Sequence, residues 1–510
     1  MVCDRQISTL LRAGAAIFLG FVLAADSFTR ELTVYPPLPN RQFGSDLYQV
    51  IVSQDGRGSP SYVYKSTREA NNPYNRYRVF STDANHWTSF SFSGPVTVRV
   101  KLLDRSAVRT AIIHPLAKGI RAAVKHNVVS FTLTQPANLY VELDNKPREP
   151  LFIFASPPEA DVPAADAPHV IRFGPGVTDL GKEPCYVADG ETVYLAGGAY
   201  VKGRLEMSGP KGDRAVSIRG RGTLSGIDIA EKRGSFSQYM IDGAARKIDA
   251  VSRKRVPEIH VEGIVITDSP GPNIFASVRV VAENVKLLSW SRCSDGIFGG
   301  RDSVVQGCFF KVNDDVIHFH SSGMKAADNV VWLQAAGSAL QMGWNVTDDV
   351  NGAHVDGLDI IGDDTGRKPS DKDWLNCDVV ALMDTHNHAA YRNIVVENVR
   401  HEGRPYQLFG VRTKLADEDK GHAEDRQGLG SVDGMIFRNI AVAQEPQQTS
   451  VFDGNGAEPG SISNVTFENM RIAAVLVTSA NASVYVTQRG KTSDFHYAAA
   501  GNPVPQKQSR

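Results

Sequence analysis

Apolar and polar residues alternate with period two through the first third of this chain. Tyr48-Gln-Val-Ile-Val52, Thr88-Ser-Phe-Ser-Phe92, Val96-Thr-Val-Arg-Val-Lys-Leu102, Val129-Ser-Phe-Thr-Leu133 and Leu139-Tyr-Val-Glu-Leu143 all show it. Such alternation marks half-buried strands, and several strands at regular spacing predict a β-sandwich over residues 26–155. The stretch 156–168, SPPEADVPAADAP, is rich in Pro, Ala and acid and reads as a linker.

A different pattern follows. An apolar residue, a variable one, then Gly or Asn precede two apolar residues that flank one variable position. The copies are Val261-Glu-Gly-Ile-Val-Ile266, Ala282-Glu-Asn-Val-Lys-Leu287, Val305-Gln-Gly-Cys-Phe-Phe310, Ala327-Asp-Asn-Val-Val-Trp332, Val355-Asp-Gly-Leu-Asp-Ile360, Tyr391-Arg-Asn-Ile-Val-Val396, Val432-Asp-Gly-Met-Ile-Phe437 and Ile462-Ser-Asn-Val-Thr-Phe467. Early steps between copies are 21, 23 and 22 residues; later steps are 28, 36, 41 and 30. A strand-bearing repeat in the low twenties, with no helical pattern, predicts a β-solenoid over 169–490. Gly and Asn suit the positive φ of a corner, and Asn can bond its counterpart on the next coil. The longer steps read as loops inserted between coils. The predicted fold is therefore all-β: a right-handed parallel β-helix preceded by an N-terminal β-sandwich. Solenoid ends need caps. The sandwich is placed to close one end and the segment after Ala473 the other, with a polar tail over 491–510.

Each coil should carry a second strand: Asp295-Gly-Ile-Phe298, Asp315-Val-Ile-His318, Ala339-Leu-Gln341 and Val379-Val-Ala-Leu382, with Ile297, Ile317 and Leu340 inward. Asp295 and Asp315 then begin the same strand on adjacent coils, about 4.8 Å apart. Asp314 points another way from the same place. Three converging acids repel one another and raise at least one pKa, a cost tolerated where the charge is used. Hydrolysis of a glycosidic bond needs one carboxyl to protonate the departing oxygen and another to activate water or attack the sugar. Asp314 is the candidate acid; Asp295 and Asp315 are the candidates for holding a water. The alternatives are a calcium site and polar turn caps.

Composition changes this picture little. Net charge is -1 with 22% charged residues, so neither nucleic acid nor an acidic partner arm is suggested. Arg5 and Arg12 precede the apolar run 13–24 and an Ala-rich exit, so residues 1–25 read as a secretory signal peptide, too short to span a membrane comfortably. A secreted or periplasmic monomer acting on a polysaccharide, without membrane association once the signal is removed, is expected. Cys185, Cys293, Cys308 and Cys377 have no metal-site spacing and read as mostly buried small hydrophobes.

The segments Cys293-Ser-Asp-Gly-Ile297 and Val312-Asn-Asp-Asp-Val316, followed by Ala339-Leu-Gln-Met-Gly-Trp344, resemble glycoside hydrolase family 49, which contains dextranases and isopullulanase. That family is related to the polygalacturonases of family 28. His86-Trp-Thr-Ser-Phe-Ser-Phe-Ser-Gly-Pro-Val-Thr-Val98 resembles the start of its N-terminal domain. Phe173-Gly-Pro-Gly-Val-Thr-Asp-Leu-Gly181 and Val193-Tyr-Leu-Ala-Gly-Gly-Ala-Tyr-Val-Lys-Gly203 resemble the opening of its β-helix. The resemblance implies an inverting endo-hydrolase of an α-glucan such as dextran or pullulan, without metal or cofactor. Asp314 would be its acid, with Asp295 and Asp315 activating water. Where such a strand would be more basic and aromatic, this chain has Val316-Ile-His-Phe-His320. A polygalacturonase would carry Gly-His-Gly after the paired acids, and none stands here; Arg412-Thr-Lys414 only superficially resembles that family's substrate-carboxylate motif.

His318, His320 and Gln341 fall on the outward parity beside the acids and are expected to line a sugar-binding cleft. Trp344 is a candidate for stacking on a sugar ring. Asp384, His386 and His388 end a later strand and are further cleft candidates. Arg292 and Lys311 precede the acids, where each would tune a pKa or pair at the surface. The rival classes are a non-catalytic carbohydrate-binding β-helix and a polysaccharide lyase.

Overall fold

The computed structural model describes residues 30–67, 81–104, 107–145, 148–207, 213–229, 238–243, 257–343, 346, 348–364, 378–383, 389–413, 430–454 and 461–499. The alternating N-terminal segments form two sheets. Among the described residues one has five antiparallel strands, including Tyr48–Gln54, Val96–Leu102 and Val128–Leu133; the other is a mixed sheet of six, in which Leu151–Ser156 runs antiparallel to Ala137–Leu143 and parallel to Ala84–Ser93. Their inward positions share one core. Val50, Val52, Val98, Val100 and Phe131 come from the first sheet, and Phe90, Phe92, Leu139, Val141 and Ile153 from the second.

From Val170 onward the strands wind as a parallel β-helix. Among the described residues an 11-stranded sheet and a 21-stranded sheet run along it, and their successive coils pair in parallel. The larger sheet is folded at a corner, so a coil such as Glu258–Glu262, Val265–Thr267 and Ile274–Phe275 carries three strands rather than the two expected. Val261, Ile264, Ile266 and Ile274 point into a continuous apolar core shared with Val285, Leu287, Ile297, Phe310, Ile317 and Leu340.

Strand pairing corrects the sequence register at two places. Residues 263, 284 and 307 occupy the corner with positive φ as expected, but the next corner residue is Asp328, with φ of 52°, and not Asn329. Asn329 turns inward instead: its Oδ1 accepts the Cys308 N–H at 2.9 Å and its Nδ2 donates to the Val305 carbonyl at 3.0 Å. The corner then continues through Gly357, Asn398, Asn439 and Asn469. The copies at Asn393, Gly434 and Asn464 lie on a second corner, in line with Gly352. The expected asparagine stacking is found on the first corner. Asn439 Nδ2 donates to Asn398 Oδ1 at 3.0 Å and Asn469 Nδ2 to Asn439 Oδ1 at 2.9 Å, 41 and 30 residues apart.

The ends also differ from expectation. The N-terminal sheets do not stack on the end of the solenoid; they lie along its flank. Trp87, Tyr140, Phe152 and Phe154 pack on Tyr200, Val265, Leu288, Phe309, Val330 and Trp332, which come from several coils along its length. Segment 156–168 is held against the early coils, with its carbonyls accepting from Arg221 at Pro157, from Arg219 at Ala160 and from Arg172 at Pro163. The polar tail does not begin at 491. Phe495–Ala498 adds a strand beside Ile462–Glu468, and Tyr497 stacks on Phe467 at 5.2 Å. Among the described residues no helix is long and apolar enough to cross a membrane; residues 1–25 lie outside them.

Candidate active site

Asp295 and Asp315 stand two residues before the paired strands Ile297–Phe298 and Ile317–His318. Ile297 pairs with Ile317, Phe298 with His318, and the Gly296 N–H donates to the Asp315 carbonyl at 2.8 Å. One coil length without insertion places the two side chains in register. Both are buried, at 1% and 9% exposure. Asp314 is half-buried beside them. Its Oδ2 accepts the Cys293 N–H at 3.2 Å and its Oδ1 the Asp315 N–H at 3.2 Å. Asp315 Oδ1 accepts the Ser338 N–H at 2.9 Å.

Gly337 makes this packing possible, and nothing in its sequence context singled it out. It holds φ of +83°, and a Cβ there would stand 2.2 Å from the Asp314 carbonyl carbon and 2.3 Å from the Asp315 nitrogen. The next coil thus presses its backbone against the peptide that joins the two acids, which only glycine permits.

The electrostatics follow from burial. Burial first, then the charges of Asp314 and Asp315, raise the Asp295 pKa well above the usual carboxylate range. Burial and the Asp314 charge raise Asp315 likewise, against the lowering effect of the Ser338 N–H. His318 Nε2 lies 3.0 Å from Asp295 Oδ1, and its ring stacks on Phe298 with centroids 3.4 Å apart. Burial drives His318 well below the usual histidine value and His320 down to about 4, so both rings are neutral near pH 7. Donor atoms of Asp295, Asp315 and His318 lie within 4.8 Å of one another. Calcium takes six to eight oxygen ligands, and two carboxylates with an imidazole do not supply such a set.

The structure places the remaining candidates unevenly. His318 and Gln341 occupy paired positions on adjacent coils and are both buried; His320 is half-buried. Gln341 keeps the expected outward parity, outside the core that takes Leu340 and Met342, but it is buried and its Nε2 donates to the Met342 carbonyl at 2.7 Å. Trp344, Asp384, His386, His388, Lys414 and Cys377 lie outside the described residues. Arg412 ends Phe409–Arg412, three strands along the short sheet from His318, so it does not join the acids. Arg292 is exposed, but Lys311 does not pair at the surface. It is fully buried, bonded to Thr82 Oγ1 at 2.8 Å and seated 4.2 Å from the Trp290 ring. Of the cysteines, Cys308 is buried while Cys185 and Cys293 are half-buried.

The sequence reading also missed a second buried group. His401 Nε2 lies 3.6 Å from Asp363 Oδ2 and 3.5 Å from Asp378 Oδ2. Asp378 belongs to the backbone column of Asp315 and Ser338, two coils on. Insertions separate these residues by 15 and 23 positions, so no short motif reveals them.

A parallel β-helix with three carboxyl groups gathered at one coil boundary has the parts for acid–base cleavage of a glycosidic bond. No family model matches the chain. It is 22% identical to the isopullulanase of Aspergillus niger over 531 aligned residues, covering 89% of this chain and 90% of that protein. It is 27% identical to a dextranase of Arthrobacter sp. (strain CB-8) over 204 residues, covering 36% of this chain and 32% of that enzyme. Dex49A from Penicillium minioluteum shares the fold, with a TM-score of 0.65 at 19% identity, over 91% of this chain and 97% of that one. The chain is a glycoside hydrolase. Its likeness is to the dextranases and isopullulanase of glycoside hydrolase family 49.

Proposed function

We propose that this chain is a secreted, endo-acting hydrolase of an α-glucan such as dextran or pullulan, working with inversion at the anomeric carbon. The observation that carries the reading is the meeting of three carboxyl groups from adjacent coils: Asp295 and Asp315 in register, with Asp314 set apart from them on its own backbone donors. In this reading Asp314 protonates the departing oxygen, and Asp295 and Asp315 hold the attacking water and take its proton. The separate environment of Asp314 favours two distinct roles. Likeness to an isopullulanase and to dextranases supports an α-glucan, and a signal-like N-terminus supports export. The N-terminal sheets act as a β-sandwich domain that braces the solenoid flank.

The test is a reducing-sugar screen of the mature protein, with EDTA present, against dextran, pullulan, polygalacturonate and arabinan. New reducing ends from a neutral α-glucan, abolished in Asp314→Asn, are expected. Release from polygalacturonate alone would overturn the substrate assignment. Unsaturated products absorbing in the ultraviolet would overturn hydrolysis.

A further inference from the structure

Asp295, read above as part of the water-activating pair, is placed where a carboxylate is hardest to keep ionised. Its side chain is 1% exposed, and Asp314 and Asp315 are its neighbours. A group that must accept a proton has to be ionised first. Its Oδ2 has no protein partner among the described residues, and its Oδ1 meets His318 Nε2 at 3.0 Å.

The histidine is held for that contact. Its ring lies flat on Phe298, at an interplanar angle of 18°, and is 3% exposed. Its other nitrogen faces His320 Nε2 at 3.4 Å, and His320 is half-buried. The groups around it are Asp295 on the preceding coil, Asp314 and Asp315 at the start of its own strand, His320 beyond, and Gln341 on the next coil, which is turned to its own backbone.

We propose that His318 is a positioning residue for Asp295: a neutral ring that donates Nε2–H to Oδ1, holding the carboxylate ionised and leaving Oδ2 for the attacking water. His320 sets the tautomer by donating its own Nε2–H to His318 Nδ1, the logic by which an outer partner fixes which imidazole nitrogen carries the proton. Donation to the charged form of an acid lowers its pKa, so His318 offsets part of the cost of burial. This inference rests on the reading of Asp295 as a base.

The experiment compares His318→Phe, His318→Gln and Asp295→Asn in kcat, KM and the pH profile of kcat/KM on the polymer found in the screen. His318→Phe keeps the flat ring and removes the donor. A lost hydrogen bond to a charged group corresponds to roughly tenfold to hundredfold. We therefore expect kcat to fall by about that factor with KM little changed, and the acid limb of the profile to move to higher pH. His318→Gln, which restores an N–H, should recover part of the rate and return the limb towards its original place. His320→Ala, at a half-exposed position, should lower kcat less than His318→Phe does. An unmoved acid limb in His318→Phe, or equal loss in the Phe and Gln variants with both folded by urea midpoint, overturns the assignment. Full activity in Asp295→Asn would instead overturn the reading of Asp295 as a base. An inactive Asp295→Asn beside a fully active His318→Phe would overturn the positioning role alone.

Discussion

Replacing Gly337 by alanine perturbs the site through the backbone alone. The residue sits at φ of +83°, where an added Cβ would meet the carbonyl carbon of Asp314 at 2.2 Å, the nitrogen of Asp315 at 2.3 Å and the Asp314 oxygen at 2.5 Å. An L side chain in the left-handed region costs about 1–2 kcal/mol. Contacts this short with backbone cannot be relieved by rotating a side chain, and forced shifts in a packed interior cost about 1–3 kcal/mol more. The expected loss of stability is therefore roughly 2–5 kcal/mol. The atoms that must move join the two acids, and a displacement of about 1 Å in a catalytic array can cost on the order of 100-fold in rate. Gly307→Ala is the control: φ is +61° there and nothing lies within 4 Å of an added Cβ. It should lose only about 1–2 kcal/mol and keep its turnover. Urea unfolding and kcat measured on the same preparations separate the two. Equal stability losses with unchanged turnover in both variants would refute the claim that Gly337 seats the acids.

Asp314→Asn should lower kcat by about 10²–10⁴-fold, the usual worth of a general acid, while a binding assay with the polymer reads near-normal affinity; a loss under tenfold would contradict the role. Asp295→Asn should be more stable than wild type near neutral pH. The folded-state pKa of Asp295 is raised, by burial and then by Asp314 and Asp315, so the native state binds more protons and stability falls as pH rises from the ordinary carboxylate range through the raised value. Thermal melts should show the variant's advantage vanishing in acid, where wild-type Asp295 is protonated in both states. His114 has linkage of the same sign, although there the charged form is the one the fold favours. Burial disfavours its charge, but hydrogen bonds to Glu142 and Glu402 outweigh that and raise its pKa to about 9. Its contribution is fully present below the ordinary histidine pKa of 6.5 and is lost as pH rises through about 9. His114→Ala should therefore flatten part of the alkaline fall in stability, to which His401, also raised to about 9, contributes as well.

The acids were legible because Asp295 and Asp315 are separated by one uninterrupted coil, so strand parity alone puts them together. The inward Ile297, Ile317 and Leu340 followed from the same step and pair as expected. Corner register was harder to read. Asp and Asn both tolerate the left-handed region, so Asp328 and Asn329 compete for one corner, and the decision lies in the bonds Asn329 makes to the coil below. The solenoid has two corners that want the same residue types, and only strand pairing separates Asn393 from Asn398. Residues brought together across insertions were invisible, Asp363, Asp378 and His401 among them. The contact of His318 with Asp295 joins the far end of one short strand to a residue two positions before its neighbour, and parity along a single strand does not reveal it.

Asp314, with Asp295 and Asp315, is proposed to hydrolyse its substrate with inversion. Proton NMR of the anomeric region during the first minutes of polymer cleavage by the wild-type protein tests it most directly. The new reducing ends of an α-linked glucan should appear first as the β anomer and then mutarotate. First appearance of the α anomer would mean retention, with a carboxylate attacking the sugar rather than activating water, and would contradict it.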